Sequence, residues 1–161
     1  MTTTVQIMMS YRDRFRPHVV GEGRNGGLLL LAVGALSLLL SGGFVLDVVD
    51  IDLSLGWIAV AFGIAITAGA VRAGLVPTIG TLWLFTLWWY VFPPLVGYLT
   101  GNWETGSRYT YPRLLDYGYT SAYDELIGGI ESGVGFGLLL AIFVGTVGYI
   151  AGTAISWYSA R

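Results

Sequence analysis

Four long stretches of this sequence carry no charged residue, and each is long enough to cross a membrane as a helix. They are residues 25–46, 53–71, 73–103 and 132–160. Spanning a hydrocarbon core of roughly 30 Å takes about 20 helical residues at about 1.5 Å each. Backbone polar groups in lipid must be satisfied within the segment, so these stretches predict helices. Leu28 to Leu31 are consecutive leucines, without the alternation of a membrane β-barrel strand.

The composition supports the same class. Charged residues make up 11% of the 161 residues, whereas soluble domains carry roughly 25%, and the mean hydropathy is +0.69. Too few charges remain to cover a water-facing surface. The sequence therefore predicts an all-α membrane protein with a single transmembrane domain, residues 27–161, preceded by an Arg-rich cytoplasmic tail, residues 1–26. The four predicted spans are about 27–46, 54–75, 78–100 and 129–157, and an outer loop occupies 101–128.

Arginine placement predicts the orientation of the chain. With the N-terminus in the cytoplasm, six of the eight Arg residues lie on the inner side, and an excess of Arg and Lys marks cytoplasmic loops. Most acidic residues then lie outside, including those of the short segment 47–52. Four crossings return the C-terminus to the cytoplasm. The sequence thus predicts a multi-pass protein of the cell membrane with N-in, C-in topology.

The residue types that the chain lacks exclude several kinds of catalytic and metal-binding site. The chain has no Cys, which excludes disulfides and thiolate metal sites, and no Lys, which excludes Schiff-base chemistry and a P-loop lysine. His18 is the sole histidine. We therefore expect no catalytic activity, no cofactor, no metal and no nucleic-acid partner. An acidic chain whose basic residues are all Arg, with many Gly, Ala and Val, resembles the proteins of salt-adapted (halophilic) archaea in composition.

Small residues recur every four positions in the second and fourth predicted spans. This spacing keeps them on one helix face, and small faces allow close backbone approach in lipid. The preferred interpretation is packing of the fourth span against the second, and the alternative is oligomerisation through a glycine-lined face. The predicted helix-packing residues are Ala61, Ala65, Gly69, Ala73, Gly129, Gly133, Gly137, Ala141 and Gly145.

Three further features interrupt the apolar spans. Pro93 and Pro94 lack backbone N–H donors, and they predict a kink or break near the outer end of the third span. Arg72 and Glu131 are the candidate intramembrane charges, at opposite ends of the membrane. The long stem of Arg72 favours an ordinary contact with lipid headgroups.

The 101–128 loop is rich in aromatic residues, more than a passive linker needs. We expect it to form an ordered cap over the helix ends or a contact face for a partner. Ser121 and Asp124 have the spacing of a helix cap, so the fourth helix is expected to begin near Ala122. The candidate partner surface consists of Trp103, Tyr109, Tyr111, Tyr117, Tyr119 and Tyr123.

The N-terminal tail allows two interpretations. Met8, Tyr11, Phe15 and Val19 lie on one helical stripe, with Arg residues beside them, which is typical of an interfacial helix attracted to anionic lipid. The alternative is a solvated tail whose arginines only set the topology.

These observations predict a non-catalytic integral membrane protein, a small scaffold or accessory subunit that acts through helix packing and its outer loop. The alternative is an oligomeric channel or small-solute transporter. The expected partners are membrane lipids and either further copies of the chain or a larger membrane complex.

Overall fold

The computed structural model describes residues 19–21, 24–52, 54–104, 107–110 and 121–161. Within these ranges the chain forms four α-helices and no strand, which confirms the all-helical prediction for the described part. The suggested interfacial helix lies almost entirely outside the described residues. The helices are α1 (Asn25–Val45), α2 (Leu55–Ala70), α3 (Leu75–Thr100) and α4 (Ala122–Ser159).

Three of the helices, α1, α3 and α4, are long and apolar enough to cross a membrane. Helix α2 has 16 residues, about 24 Å, and is shorter than the predicted span 54–75. It ends early because the chain turns: Arg72 has a left-handed φ of 54° and Gly74 a φ of 94°. The turn is closed by the Ala73 N–H, which donates to Ala68 O at 2.9 Å.

Helix α4 is the longest element, with 38 residues, about 57 Å, so it exceeds the thickness of a hydrocarbon core. It begins at Ala122, as predicted from its cap. The Ser121 hydroxyl accepts a hydrogen bond from the Asp124 N–H at 3.1 Å and donates to Asp124 Oδ2 at 2.8 Å. The 101–128 loop is therefore shorter than the sequence suggested, since its last seven residues belong to α4.

The bundle is built around α4, which packs most extensively on α3 and then on α2, while α1 lies against α3 at one side. One buried cluster joins α1, α2 and α3 through large side chains such as Phe44, Trp57, Phe85 and Trp89. A second cluster joins α2, α3 and α4 through smaller ones: Ala61, Ala65, Leu82, Ala141 and Val144.

The helices alternate in direction, so the bundle has two ends. At the Arg72 end lie the starts of α1 and α3 and the ends of α2 and α4, and Asn25 Nδ2 donates to Val71 O at 2.8 Å. At the Asp50 end lie the opposite helix ends, and Trp57 Nε1 donates to Asp50 O at 3.1 Å. The start of α1 and the end of α4 are therefore at the same end of the bundle.

Candidate functional site: the Arg108 clasp and the open face of helix α1

The glycine stripe of α4 faces α3 rather than α2. A Cβ at Gly129 would lie 2.6 Å from Tyr90 O, one at Gly133 2.9 Å from a Leu87 methyl, and one at Gly137 3.0 Å from Thr86 Oγ1. Gly145 likewise faces Ile79. The Thr86 hydroxyl also donates to Gly137 O at 3.1 Å. For these four glycines the neighbour is therefore α3, whereas Ala61, Ala65 and Ala141 of the same predicted set lie in one buried cluster that joins α2 to α4.

The glycine contacts between α2 and α4 lie on the next turns of α4 along the chain. A Cβ at Gly152 would lie 2.0 Å from Ile66 O, and one at Gly69 would lie 2.2 Å from Tyr149 O. Gly148 meets Ala65 in the same way. Ala73 lies beyond the end of α2, where its carbonyl oxygen would be 2.0 Å from a Cβ at Gly21. The two helix backbones thus touch directly at the Arg72 end.

Helix α3 continues through Pro93 and Pro94 without a break, and both prolines are buried. Because proline has no N–H, the carbonyl groups of Trp89 and Tyr90 lose their usual helical donors. Gly129 of α4 lies against one of these groups, Tyr90 O, and next to the Pro94 ring. The prolines and the glycine stripe, which look unrelated in the sequence, form one contact.

The charged residues of interest lie apart from one another. Arg72 is exposed in the turn after α2, outside any helix, and Glu131 is exposed on α4. Glu125 is buried in the first turn of α4, with 3% of its surface exposed. Nothing in its spacing distinguishes it from its neighbour Asp124, so its burial could not be read from the sequence.

Three of the six aromatic residues in the candidate partner surface are described: Trp103, Tyr109 and Tyr123. Tyr109 packs edge-on against Phe44 with ring centroids 5.9 Å apart. Tyr123 is 58% exposed and lies beside Tyr98, and Trp103 is half-buried. The structure brings Tyr109 to the helix ends and leaves Tyr123 on the surface. Tyr111, Tyr117 and Tyr119 lie outside the described residues.

Arg108 is the centre of the polar contacts at the Asp50 end. Its guanidinium donates to Asp47 Oδ1, to Phe44 O at 3.1 Å and to Val49 O at 2.8 Å, and it lies 3.1 Å from Asp50 Oδ1. We call this set of contacts the Arg108 clasp. The guanidinium also lies over the Phe44 ring, 4.3 Å from its centroid.

The sequence analysis missed this clasp, since it joins residues 61 positions apart. The only available signal was that Arg108 is one of two Arg residues among eight acidic ones on the predicted outer side. A cation at this position also meets the carbonyl end of α1, where the helix dipole is negative. The clasp therefore combines ion pairing with capping of α1.

Helix α1 has the most open surface of the three long helices. Within the most apolar 18-residue stretch of each helix, 17% of the residues are buried in α1, against 39% in α3 and 33% in α4. Positions where a Cβ would meet nothing within 4 Å include Gly27, Gly34 and Gly42. Side chains of α1 are therefore available to something other than this bundle.

A groove of about 580 Å³ runs along this open face of α1, from Leu30 to Ser41, with Trp88 of α3 beside it. Small residues, among them Gly34 and Ser37, form much of its lining. Its polar groups bond to each other: Trp88 Nε1 donates to Ser41 Oγ at 2.9 Å, and Ser41 Oγ donates to Ser37 O at 2.8 Å. The groove is thus shallow and mainly apolar.

Among the described residues, no group of three or more His, Asp or Glu side chains is placed to hold a metal ion. Comparison of the chain with protein-family models, with curated proteins and with solved structures gives no match. Function must therefore be argued from the contacts themselves.

Proposed function

We propose that this chain is a non-catalytic membrane scaffold or accessory subunit, and that the open face of α1 packs against a transmembrane helix of another subunit. The observation that carries the proposal is the groove of small residues on the most exposed long helix. In this proposal all four helices cross the cell membrane, with α2 as a short crossing, and both described ends lie in the cytoplasm.

Helix association in lipid depends on small residues, because lipid tails are as apolar as the helices and supply no hydrophobic driving force. A glycine within a helix costs about 1 kcal/mol relative to alanine in water. Close contact offsets that cost at Gly129 and Gly152, which touch neighbouring backbone. Gly27 and Gly34 have no such contact within the bundle, so a partner helix would supply it.

The spacing on α1 suits a neighbouring helix that packs along its length. Gly27, Gly34 and Ser41 are seven residues apart, a repeat that keeps one seam facing a neighbouring helix in a left-handed pair. Leu30 and Ser37 lie three positions after the two glycines, on the same side. The simplest occupant is therefore the α1 helix of a second copy, which is inserted in the same orientation.

The alternative, an oligomeric channel or small-solute transporter, is less well supported. Direct backbone contacts such as Gly69 with Tyr149 and Gly152 with Ile66 hold α2 and α4 together. A passage through this interface would have to separate them. A pore could then form only between copies, and it would appear as a conducting symmetric assembly in the test below.

Gly34→Leu tests the proposal, with Gly135→Leu as its matched control. Both glycines face open space within long helices, so neither change disturbs the bundle itself. We expect Gly34→Leu to block the α1 contact and to reduce complex mass, measured by light scattering in mild detergent, while Gly135→Leu does not. A cysteine at Leu38 should cross-link two copies, whereas one at Leu139 of α4 should not.

A loss of a different, co-purifying membrane subunit in Gly34→Leu alone would favour a hetero-complex. Ion conductance in liposomes that Gly34→Leu abolishes would favour the channel. Equal masses and equal cross-linking for both positions would contradict the proposal.

A further inference from the structure

The polar contacts of helix α1 with the rest of the bundle lie towards its two ends, and Leu29 and Val33 add buried apolar contacts between them. At the Arg72 end, Asn25 bonds to Val71 O, and a Cβ at Gly26 would lie 3.0 Å from Pro77 Cβ. Between the ends, Gly27 and Gly34 meet open space, and the hydrogen bond from Trp88 to Ser41 is the main polar link. The position of α1 therefore depends on how each end is held.

The Asp50 end is held by residues 107–110. Arg108 binds Phe44 O in the last turn of α1, together with Val49 O and two carboxylates in the segment that follows the helix. The next residue, Tyr109, packs on Phe44 of α1 and also against Gly97 of α3, where a Cβ would lie 2.8 Å from Tyr109 Cβ. Thr110 is 7% exposed. One short segment thus joins the end of α1 to the end of α3.

We propose that the Arg108 clasp is a conformational latch that sets the position of α1. With Arg108 in place, the Asp50 end of α1 stays against α3. When the contacts of Arg108 are lost, that end moves away while the Arg72 end serves as the pivot. Because Trp88 of α3 borders the α1 groove, the movement changes the shape of the groove. The latch would act in the same way whether or not α1 binds a partner.

The carboxylate groups of the clasp are exposed to dissolved ions. The side chains of Asp47 and Asp50 are 83% and 72% exposed, while that of Arg108 is 21% exposed. Dissolved ions therefore reach the carboxylates, and they screen exposed charge pairs. The carbonyl contacts and the Phe44 ring hold the same guanidinium where water is less abundant, which gives the latch two parts of different salt sensitivity.

Distances between spin labels test the latch, and the absence of native cysteine makes site-specific labelling straightforward. One pair, Val45→Cys with Leu99→Cys, reports the Asp50 end of α1, and a second, Leu28→Cys with Val76→Cys, reports its Arg72 end. All four side chains are exposed. In Arg108→Gln we expect the mean distance of the first pair to increase by more than the width of its wild-type distribution. The distance distribution of the second pair should stay unchanged.

Arg161→Gln is the matched control, since it removes the same charge at the Arg72 end, where Arg161 lies over the Trp157 ring at 3.6 Å. Two milder variants, Arg108→Lys and Asp50→Asn, keep the test valid if Arg108→Gln does not fold. Each should broaden the first distribution, because a single ammonium group cannot reach all four oxygen partners and an asparagine amide carries no charge to pair with Arg108. If both milder variants gave the same distance distributions as Arg161→Gln, the latch would be overturned.

Discussion

At the scale of single residues, the glycines of this chain form two groups that the sequence alone does not separate. Gly152 and Gly69 lie where a Cβ would meet a backbone carbonyl at 2.0 and 2.2 Å. Gly135 and Gly63 meet nothing within 4 Å. Packing therefore requires glycine at the first two positions, whereas it would accept alanine at the other two.

Alanine substitution should follow this division. Gly152→Ala forces a methyl group into the Ile66 carbonyl, and overpacking typically costs about 1–3 kcal/mol. Gly137→Ala should cost less, because its neighbour at 3.0 Å is a Thr86 side chain. Gly135→Ala should be neutral or stabilising, as alanine is the better helix former. Thermal unfolding in detergent measures the series, and equal midpoints for the Gly152 and Gly135 variants would contradict the contacts described above.

Arg108 and Glu125 show the limit of prediction at this scale. The sequence analysis sorted arginines and acids between the two sides of the membrane without naming a partner for Arg108. In the structure Arg108 binds the segment after α1, where its partner Asp47 is 61 positions away in the sequence. Helical spacing reports which residues share a face, and it carries no information on which distant loop meets a given charge.

At the scale of helices, hydropathy located the elements well and their ends less well. Three spans agree with α1, α3 and α4, although α4 starts seven residues before its predicted span, where its Ser121 cap lies. Helix α2 ends at Ala70 because Arg72, a non-glycine residue, takes a left-handed conformation. Such a residue gives no turn signal, and only Gly74 and Pro77 marked the turn in the sequence.

Helix α1 has two faces whose substitutions should differ sharply. Phe44 is 1% exposed and contacts Phe92, Tyr109 and Arg108, while Leu39, on the same helix, is 75% exposed. Phe44→Ala removes a buried ring, a change that costs about 3–5 kcal/mol in protein cores. Leu39→Ala removes a side chain that is mostly exposed in the described bundle, so it should cost little.

Reversible unfolding in mixed micelles gives both free energies of unfolding. If Leu39→Ala were as destabilising as Phe44→Ala, Leu39 would itself take part in the proposed contact between α1 helices.

At the scale of the whole molecule, the fold class follows from the sequence because lipid leaves a chain few choices. Long uncharged stretches must satisfy their backbone within a helix, so the helical class was predictable from runs such as 25–46. The arrangement was not. Whether α4 packs on α2 or α3 depends on which helix offers a complementary surface, and the freed Tyr90 carbonyl beside Gly129 arises only once α3 is folded.

The orientation of the molecule is the last prediction, and it rests on arginine placement. The predicted topology puts six of eight Arg residues on the side of the N-terminal tail and the Arg72 turn, which positive-inside sorting assigns to the cytoplasm. The bundle places the start of α1 and the end of α4 at one end, so both should be protected together.

Single cysteines at Glu104 and Ser159, both exposed, test this in intact cells with an impermeant thiol reagent. The Glu104→Cys variant should react at once, and the Ser159→Cys variant only after the membrane is permeabilised. The reverse pattern would invert the molecule and bring the Arg108 clasp to the cytoplasm, where extracellular ions could not reach it. Reaction of both sites from outside would mean that α4, the helix that separates them, does not cross the membrane.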